Sequence, residues 1–586
     1  MTSTIPHTAA VITEEDICVP MRDGTSLRAD LWRPDVSRPV PVLVSRTPYD
    51  PIIAHAALQP DRLAAEGFAV LVQSCRGRFG SEGSWSYIHS EVEDGYDTVE
   101  WAALQTWSNG RVGMFGQSYG GNAQWLAAQA TPPHLEVIAP EACAADYWEG
   151  TFDSGGTFRL ALRIGWTAHV IAEMAEEWGI QDPQLRELSR VTHEVQRAGR
   201  QDDPAVLDTA RAQAKAAMEA VFRTRPLRDN PLWHGRASWL DEAFDHESRY
   251  DSTWLRTNPT SHYSAIDLPA LHVGSWYDIH LGATLRHYTG MRRQAPSERA
   301  RQAQRLVIGP WDHWHPAASA VGELDFGPAA SIDITQQRAD WFRRWLHDEP
   351  VTEQAPVRIF VMGENRWRDE QEWPPARVQY TSWYLHQDGL LSDRRPPSDD
   401  GTDYFTYDPR NPVPTRGGRL LGSGGELPGP VDQRENGDRA DVLTYLSDPL
   451  PAATELTGPV TVDLWASTDA PDTDFTAILV DVHPDGRAFN LCEGAIRARH
   501  AVPSTPLRPG AVYLFHIDLA ATSVVLAPGH RIGLYISSSC FPEWEPNPNT
   551  GNPLGTDTEA DLRVAQQAIH RDHRHPSRII LPMIPR

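Results

Sequence analysis

Val112-Gly113-Met114-Phe115-Gly116-Gln117-Ser118-Tyr119-Gly120-Gly121 reads as a strand, a sharp turn and the start of a helix. Val112 to Phe115 is a short apolar run. Gly116-Gln117-Ser118-Tyr119-Gly120 fits G-x-S-x-G, the nucleophile elbow, and Asn122 to Ala130 is rich in helix formers. A side chain at Gly116 or Gly120 is expected to collide with its neighbours in so tight a turn. The Ser118 hydroxyl should then stand exposed at the strand end, above a helix N-terminus. A chain of this length should hold roughly 0.2 such matches by chance.

Upstream, residues 15–34 predict two strands joined at Asp23-Gly24, and Pro39 to Ser45 predicts a buried strand ending in the loop Arg46-Thr47-Pro48-Tyr49-Asp50. A short helix over 61–66, a buried strand over 68–73, a glycine-rich loop over 76–83 and a helix over 91–106 lead to the elbow, and Leu135 to Ala139 is the next strand. Continuous apolar strands alternating with helices predict a parallel sheet covered on both faces. From 145 to 259 helical segments take over, including 157–177 and 204–222, which predicts an inserted helical cap. The sheet resumes with Ala270 to Val273 and Arg305 to Ile308, and Ile334 to His347 is an amphipathic helix. Beyond Pro350 short alternating strands recur between Pro-, Gly- and Asp-rich segments, the pattern of a β-sandwich or jelly roll. The expected division is therefore 1–144 and 260–350 for an α/β core, 145–259 for the cap, and 351–586 for the β domain.

The 586 residues are too many for one core, and 40% hydrophobic with 22% charged residues is a globular composition. The formal charge of −25 argues against nucleic-acid or anionic-membrane partners. Lys215 is the only lysine. Five scattered cysteines include no C-x-x-C pair, so reduced thiols and a cytoplasmic location are expected. The N-terminal residues show no basic region followed by an apolar run, and no stretch approaches 18 apolar residues, so neither a signal peptide nor a membrane span is expected.

An activated serine needs a base and a carboxylate to orient it. Asp278, in Gly-Ser-Trp-Tyr-Asp just beyond the 270–273 strand, is the acid candidate. His313, in Gly-Pro-Trp-Asp-His just beyond the 305–308 strand, is the base candidate, with His315 and His280 as rivals. Oxyanion donors are expected from the Tyr119 backbone N–H and from the loop after the early strand. That loop has no HGGG segment, but it has the Tyr49 phenol.

Several stretches, taken together, resemble the bacterial cocaine esterase (CocE/NonD) family, related to X-prolyl dipeptidyl aminopeptidases and α-amino-acid ester hydrolases. They are V-P-M-R-D-G-T-S-L-R-A-D-L near the start, P-Y-D at 48–50, R-G-R-F-G-S-E-G at 76–83, G-x-S-Y-G, G-S-W-Y-D, G-P-W-D-H, and T-D-F-T-A-I-L-V-D-V-H-P-D-G-R-A at 473–488. The resemblance implies an α/β-hydrolase domain with an inserted helical cap and a C-terminal jelly roll. It implies Ser118 as nucleophile, Asp278 as acid, His313 as base, and Tyr49 with the Tyr119 amide as oxyanion hole. By position it implies Phe152 and Trp166 in the acyl pocket. There, His280 replaces an aromatic and Arg416 an apolar residue, which points to a polar or anionic acyl group. No cofactor or metal is implied. The expected activity is hydrolysis of small-molecule ester or amide bonds through an acyl-enzyme, in the manner of a serine esterase or a dipeptidyl-peptidase. An acyltransferase or cephalosporin-type acylase on the same residues, and a non-catalytic binding module, are the alternatives. The sequence leaves room for a homodimer.

Overall fold

A computed structural model describes residues 10–177, 179, 181–199, 204–349, 354–397, 401–422, 424–501 and 506–585. Residues 1–9, part of the stretch read for a leader, lie outside these. The first unit is a ten-stranded sheet built from β1 (Val11–Pro20), β2 (Ser26–Pro34), β3 (Val40–Thr47), β4 (Ala69–Ser74), β5 (Ser108–Gln117), β6 (Leu135–Glu141), β7 (Ala270–Ser275) and β8 (Gln304–Gly309). A small ribbon of β9 (Ala320–Val321) and β10 (Leu324–Asp325) stands apart, and β11 (Val357–Val361) and β12 (Arg366–Glu370) complete the sheet in the order β1-β2-β4-β3-β5-β6-β7-β8-β11-β12. Every residue of β3, β4 and β7 is buried, as a strand covered on both faces must be. Pairing is parallel from β4 across to β11 and antiparallel at both edges.

The covering helices are α1 (Pro51–Leu58), α2 (Pro60–Ala65), α3 (Glu91–Ala103) and α4 (Tyr119–Gln129) before the cap. The cap contributes α5 (Leu160–Glu177), α6 (Pro183–Gly199), α7 (Pro204–Phe222) and α8 (Ser238–Asp245). After it come α9 (Leu281–Gln294), α10 (Glu298–Gln302) and α11 (Ile334–Leu346). Helix α1 falls just past the expected 46–50 loop, in a stretch to which the sequence reading assigned no element. Its start is nonetheless written there: Pro51 takes the first helical position and the Asp50 carboxylate accepts from the Ile52 amide at 2.7 Å. No described helix is long and apolar enough to cross a membrane.

The boundary expected at 350/351 lies outside the described residues, and two strands beyond it join the first sheet. β11 lies parallel to β8, with Val357 opposite Leu306, and β12 folds back on β11. The first sheet thus runs on to Glu370. Short strands look alike in either unit, and only pairing tells which sheet they join. The remaining strands are β13 (Gln379–Leu385), β14 (Leu391–Ser392), β15 (Thr402–Tyr407), β16 (Leu443–Leu446), β17 (Thr454–Thr468), β18 (Asp474–Val482), β19 (Ala488–Arg497), β20 (Tyr513–Leu526), β21 (Arg531–Ser537), β22 (Ala565–His570) and β23 (Arg578–Ile584). They form two antiparallel sheets, β14-β13-β23-β17-β22-β15 with β20 on β17, and β16-β21-β18-β19. This is the jelly-roll unit, closed over a core that includes Leu464, Phe475, Phe515 and Ile569.

Between β5 and α4 the chain turns through Ser118, whose φ of 57° and ψ of −118° are rare for a residue with a side chain. Such a conformation costs about 1–3 kcal/mol and persists only where its surroundings enforce it. Here the Ser118 amide donates to the Glu141 carbonyl of β6 at 2.9 Å. The Ser118 carbonyl accepts from the Gly121 and Asn122 amides at 2.9 and 3.0 Å. Gly116 sits at φ 138°, and a Cβ there would approach the Ser45 Oγ to 3.1 Å. Gly120 differs from expectation: a Cβ would meet nothing nearer than the Arg46 carbonyl at 3.5 Å, an ordinary contact. The crowded position is Gly121, where a Cβ would lie 2.5 Å from the Cys143 Cβ and 3.1 Å from the Glu141 carbonyl. Gly121→Ala should therefore cost about 1–3 kcal/mol through overpacking, whereas Gly120→Ala should cost almost nothing in stability. Equal denaturation midpoints for the two variants would refute this account of the turn.

Candidate active site

Parallel strands deliver their C-terminal ends to one edge of the sheet, and three side chains meet there. Ser118 follows β5, Asp278 follows β7 and His313 follows β8. The His313 Nδ1 lies 2.6 Å from an Asp278 carboxylate oxygen, and its Nε2 lies 3.1 Å from the Ser118 Oγ. An ionised carboxylate can only accept, so Nδ1 carries the proton and Nε2 is left to accept from the serine hydroxyl. Asp278 is fully buried and His313 nearly so. Burial pushes the Asp278 carboxyl up, but the His313 and His280 imidazoles and the His280 amide outweigh it and hold the group below the usual carboxylate range. That amide donates to Asp278 at 2.6 Å. The Gln117 side chain holds the His313 carbonyl.

The rival histidines have other places. His315 is turned to Asp312, whose carboxylate lies 3.0 Å from its Nδ1 and raises its pKa. His280 is buried with its ring 5.7 Å from that of His313. Burial drives its pKa down to about 3, with the neighbouring Arg159 and Arg163 adding to the effect, so the ring is neutral at pH 7.

Tyr49 ends the loop after β3. Its phenol oxygen accepts from the Trp166 indole N–H at 3.0 Å, and burial pushes its pKa up. An indole N–H only donates, so the Tyr49 hydroxyl keeps its own proton free to donate elsewhere. The Tyr119 amide opens α4, among the amides a helix leaves without an internal acceptor. The Tyr119 phenol points away, donating to the Tyr87 carbonyl at 2.9 Å and lying 3.1 Å from Glu91. One anchor was missed from sequence. The fully buried Arg78 donates to the Pro48 carbonyl at 2.9 Å and pairs with Glu173 of α5 at 3.1 Å, fastening the Tyr49 loop to the cap. Its place in the R-G-R-F-G-S-E-G stretch was visible, but its partners lie 30 and 95 residues away.

The expected pocket residues separate. Phe152 stacks on Trp148 with ring centroids 5.3 Å apart. Phe152 and His280 both line a cavity of about 50 Å³ whose wall also carries Arg159, Glu493 and Glu543. Trp166 belongs to an aromatic cluster with Trp85, Tyr87 and Trp239. Arg416 has partners of its own. It is not part of that cavity's lining; its guanidinium lies 2.6 Å from Glu435 and donates to the Asp432 carbonyl at 3.1 Å, on the jelly-roll unit. A flexible arginine in a glycine-rich run goes to its nearest carboxylate, which sequence position alone does not reveal. A buried cation beside the aromatics is Arg163, held 4.9 Å from the Tyr87 ring, 5.0 Å from that of Tyr147 and 5.7 Å from that of Trp166.

Residues 23–315 match the X-Pro dipeptidyl-peptidase (S15) family, and residues 350–580 match its C-terminal non-catalytic domain. The chain is 36% identical to a cocaine esterase of Rhodococcus sp. (strain MB1 Bresler), over 97% of this chain and 98% of that protein. It therefore belongs to this family of serine esterases and X-Pro dipeptidyl-peptidases, and it is a hydrolase. An aminopeptidase from a marine-sediment Thaumarchaeota archaeon shares the fold (TM-score 0.80, 24% identity, 100% of this chain and 98% of that one). So does an α-amino-acid ester hydrolase (TM-score 0.78, 24% identity, 100% and 98%).

The two histidines beyond β8 can be told apart by mutation. His313→Ala should lose nearly all esterase turnover, while His315→Ala, which disturbs only the pair with Asp312, should keep most of it. The reverse pattern in steady-state kinetics would shift the base to His315.

Proposed function

We propose that the chain hydrolyses ester or amide bonds of small molecules by acyl transfer through Ser118, with His313 as general base, Asp278 as its orienting acid, and the Tyr49 hydroxyl and Tyr119 amide as oxyanion donors. The observation that carries this is the unbroken relay from Asp278 through His313 to the Ser118 Oγ, at 2.6 and 3.1 Å. Ser118 attacks the acyl carbon as its proton passes to His313 Nε2. The buried Asp278 carboxylate stabilises the imidazolium so formed. The carbonyl oxygen becomes an anion and is met by the two donors. On collapse, His313 returns its proton to the departing alcohol or amine. Water then enters, gives its proton to the same nitrogen and releases the acid.

The acyl side of this site is aromatic, and the neutral His280 offers a hydrogen bond without a charge. The pairing of Arg416 with Glu435 argues against the anionic acyl preference expected from it. The cap takes a direct part in the chemistry, because the Trp166 N–H that occupies one side of the Tyr49 oxygen belongs to α5.

Ser118→Ala should abolish labelling by a fluorophosphonate probe and lower turnover of p-nitrophenyl esters by up to about 10⁶, with the fold intact. Near-normal activity in that variant would end the proposal. Tyr49→Phe removes one donor and keeps the ring, so kcat should fall about 10²–10³ with KM little changed, because the bond strengthens as charge develops on the oxygen. A kcat within a few-fold of the parent enzyme would transfer the second donor's role to a backbone amide.

A further inference from the structure

The segment Val480-Asp481-Val482-His483-Pro484-Asp485-Gly486-Arg487 contributes nothing to the site above, yet it carries ligand-type side chains on a rigid frame. Asp481 lies in β18 and His483 one residue past its end. Two residues apart on extended chain, they project from the same face. β21 runs antiparallel beside them with Val482 opposite Arg531, so the next step outward sets His483 opposite His530. The two turns touch: a Cβ on Gly529 would lie 3.7 Å from Pro484. The Phe489 ring backs His483 at 5.1 Å between centroids.

We propose that Asp481, His483 and His530 form a binding site for a first-row divalent transition ion, with zinc as the fitting metal. One carboxylate oxygen and one nitrogen from each imidazole all lie within 4.8 Å of one another. The Asp481 Oδ1 is 2.8 Å from His530 Nδ1, and its Oδ2 is 3.4 Å from His483 Nε2. Ligands about 2.0–2.1 Å from a tetrahedral zinc stand roughly 3.4 Å apart. The widest pair therefore closes by at most about 1.4 Å, within the reach of side-chain rotations. Two imidazoles and a carboxylate are borderline donors suited to zinc, cobalt or nickel and not to calcium or magnesium. The alternative is a simple hydrogen-bonded trio. It fits less well, because His530 Nδ1 is within 2.8 Å of the Asp481 carboxylate while His483 Nε2 stands at 3.4 Å, too far for a good hydrogen bond. A dication with both rings neutral meets all three groups at once. The histidine side chains keep 24% and 16% of their surface exposed, which leaves room for water as a fourth ligand. The ion would pin the 483–487 turn to the start of β21, a structural clasp within the jelly-roll unit.

The test uses full-length protein in a Cys18→Ser background, which removes the exposed thiol as a competing ligand. After dialysis against a chelator, zinc binding is measured by competition with a chromogenic chelator, and cobalt by its visible absorption. One zinc per chain, a tetrahedral cobalt spectrum and a rise in melting temperature on adding zinc are expected. His483→Gln and His530→Gln should each weaken binding at least about tenfold and lose the cobalt spectrum, while melting like the parent in chelator. Failure to bind zinc, or binding unchanged in both variants, overturns the proposal. Should either glutamine variant fail to fold, Asp481→Asn with the same readouts decides it.

Discussion

One carbonyl oxygen holds the reactive end of this molecule in shape. The Glu141 carbonyl accepts the Ser118 amide at the point where the backbone is forced to φ 57°. Without that bond the serine would relax toward an ordinary turn, and its hydroxyl would leave the sheet edge where His313 waits. Glu141 is fixed in turn from two sides. Its backbone continues β6 beside β5, and its side chain pairs with the buried Arg338 of α11. Gly121 must lack a side chain because β6 passes so close beneath it. The strained Ser118 backbone thus depends on a helix more than 200 residues further along the chain.

Charges buried under the site follow the same logic. Arg46, fully buried at the end of β3, lies 2.8 Å from Glu91 and donates to Thr98 at 2.9 Å, and Glu91 reaches the Tyr119 phenol. Such pairs add little net stability after desolvation, but removing one partner strands the other. Their value here is positional: the network ties β3, which leads to Tyr49, to α3 and to the first residue of α4. Arg78 does the same for Pro48 from the other side. Both proposed oxyanion donors are therefore held by buried arginines, and the loop bearing Tyr49 is tied to core and cap alike.

The cap and the jelly roll close over this edge with different chemistry. The cap supplies tryptophans and tyrosines whose rings pack at centroid distances of about 5–6 Å. The contact with the jelly-roll unit is instead studded with charge, including Arg159, Glu493 and Glu543. Burial raises the Glu543 carboxyl to about 7 despite the nearby Arg159. Apolar packing shapes the cap side, and burial keeps the His280 imidazole neutral.

The sequence by itself determined the local elements and their chemistry. G-x-S-x-G between an apolar run and helix formers read as an elbow. All-buried strands alternating with helices implied a parallel sheet, and the chain order of Ser118, Asp278 and His313 was legible because each follows a strand that delivers its loop to the same edge. Family resemblance supplied Phe152 and Trp166, which no spacing rule reaches. The tertiary structure alone decided whatever depends on a partner distant along the chain. Asp312 captures His315 and leaves His313 to Ser118. Glu435 captures Arg416, while Arg163 is buried among aromatics. β8 recruits β11, carrying the sheet past the compositional boundary near 350, and Cys143 makes Gly121 the indispensable glycine in place of Gly120. Periodicity and motif report which face or turn a residue occupies; which neighbour wins a hydrogen bond, a charge or an ångström of space is settled only when segments a hundred or more residues apart are packed together.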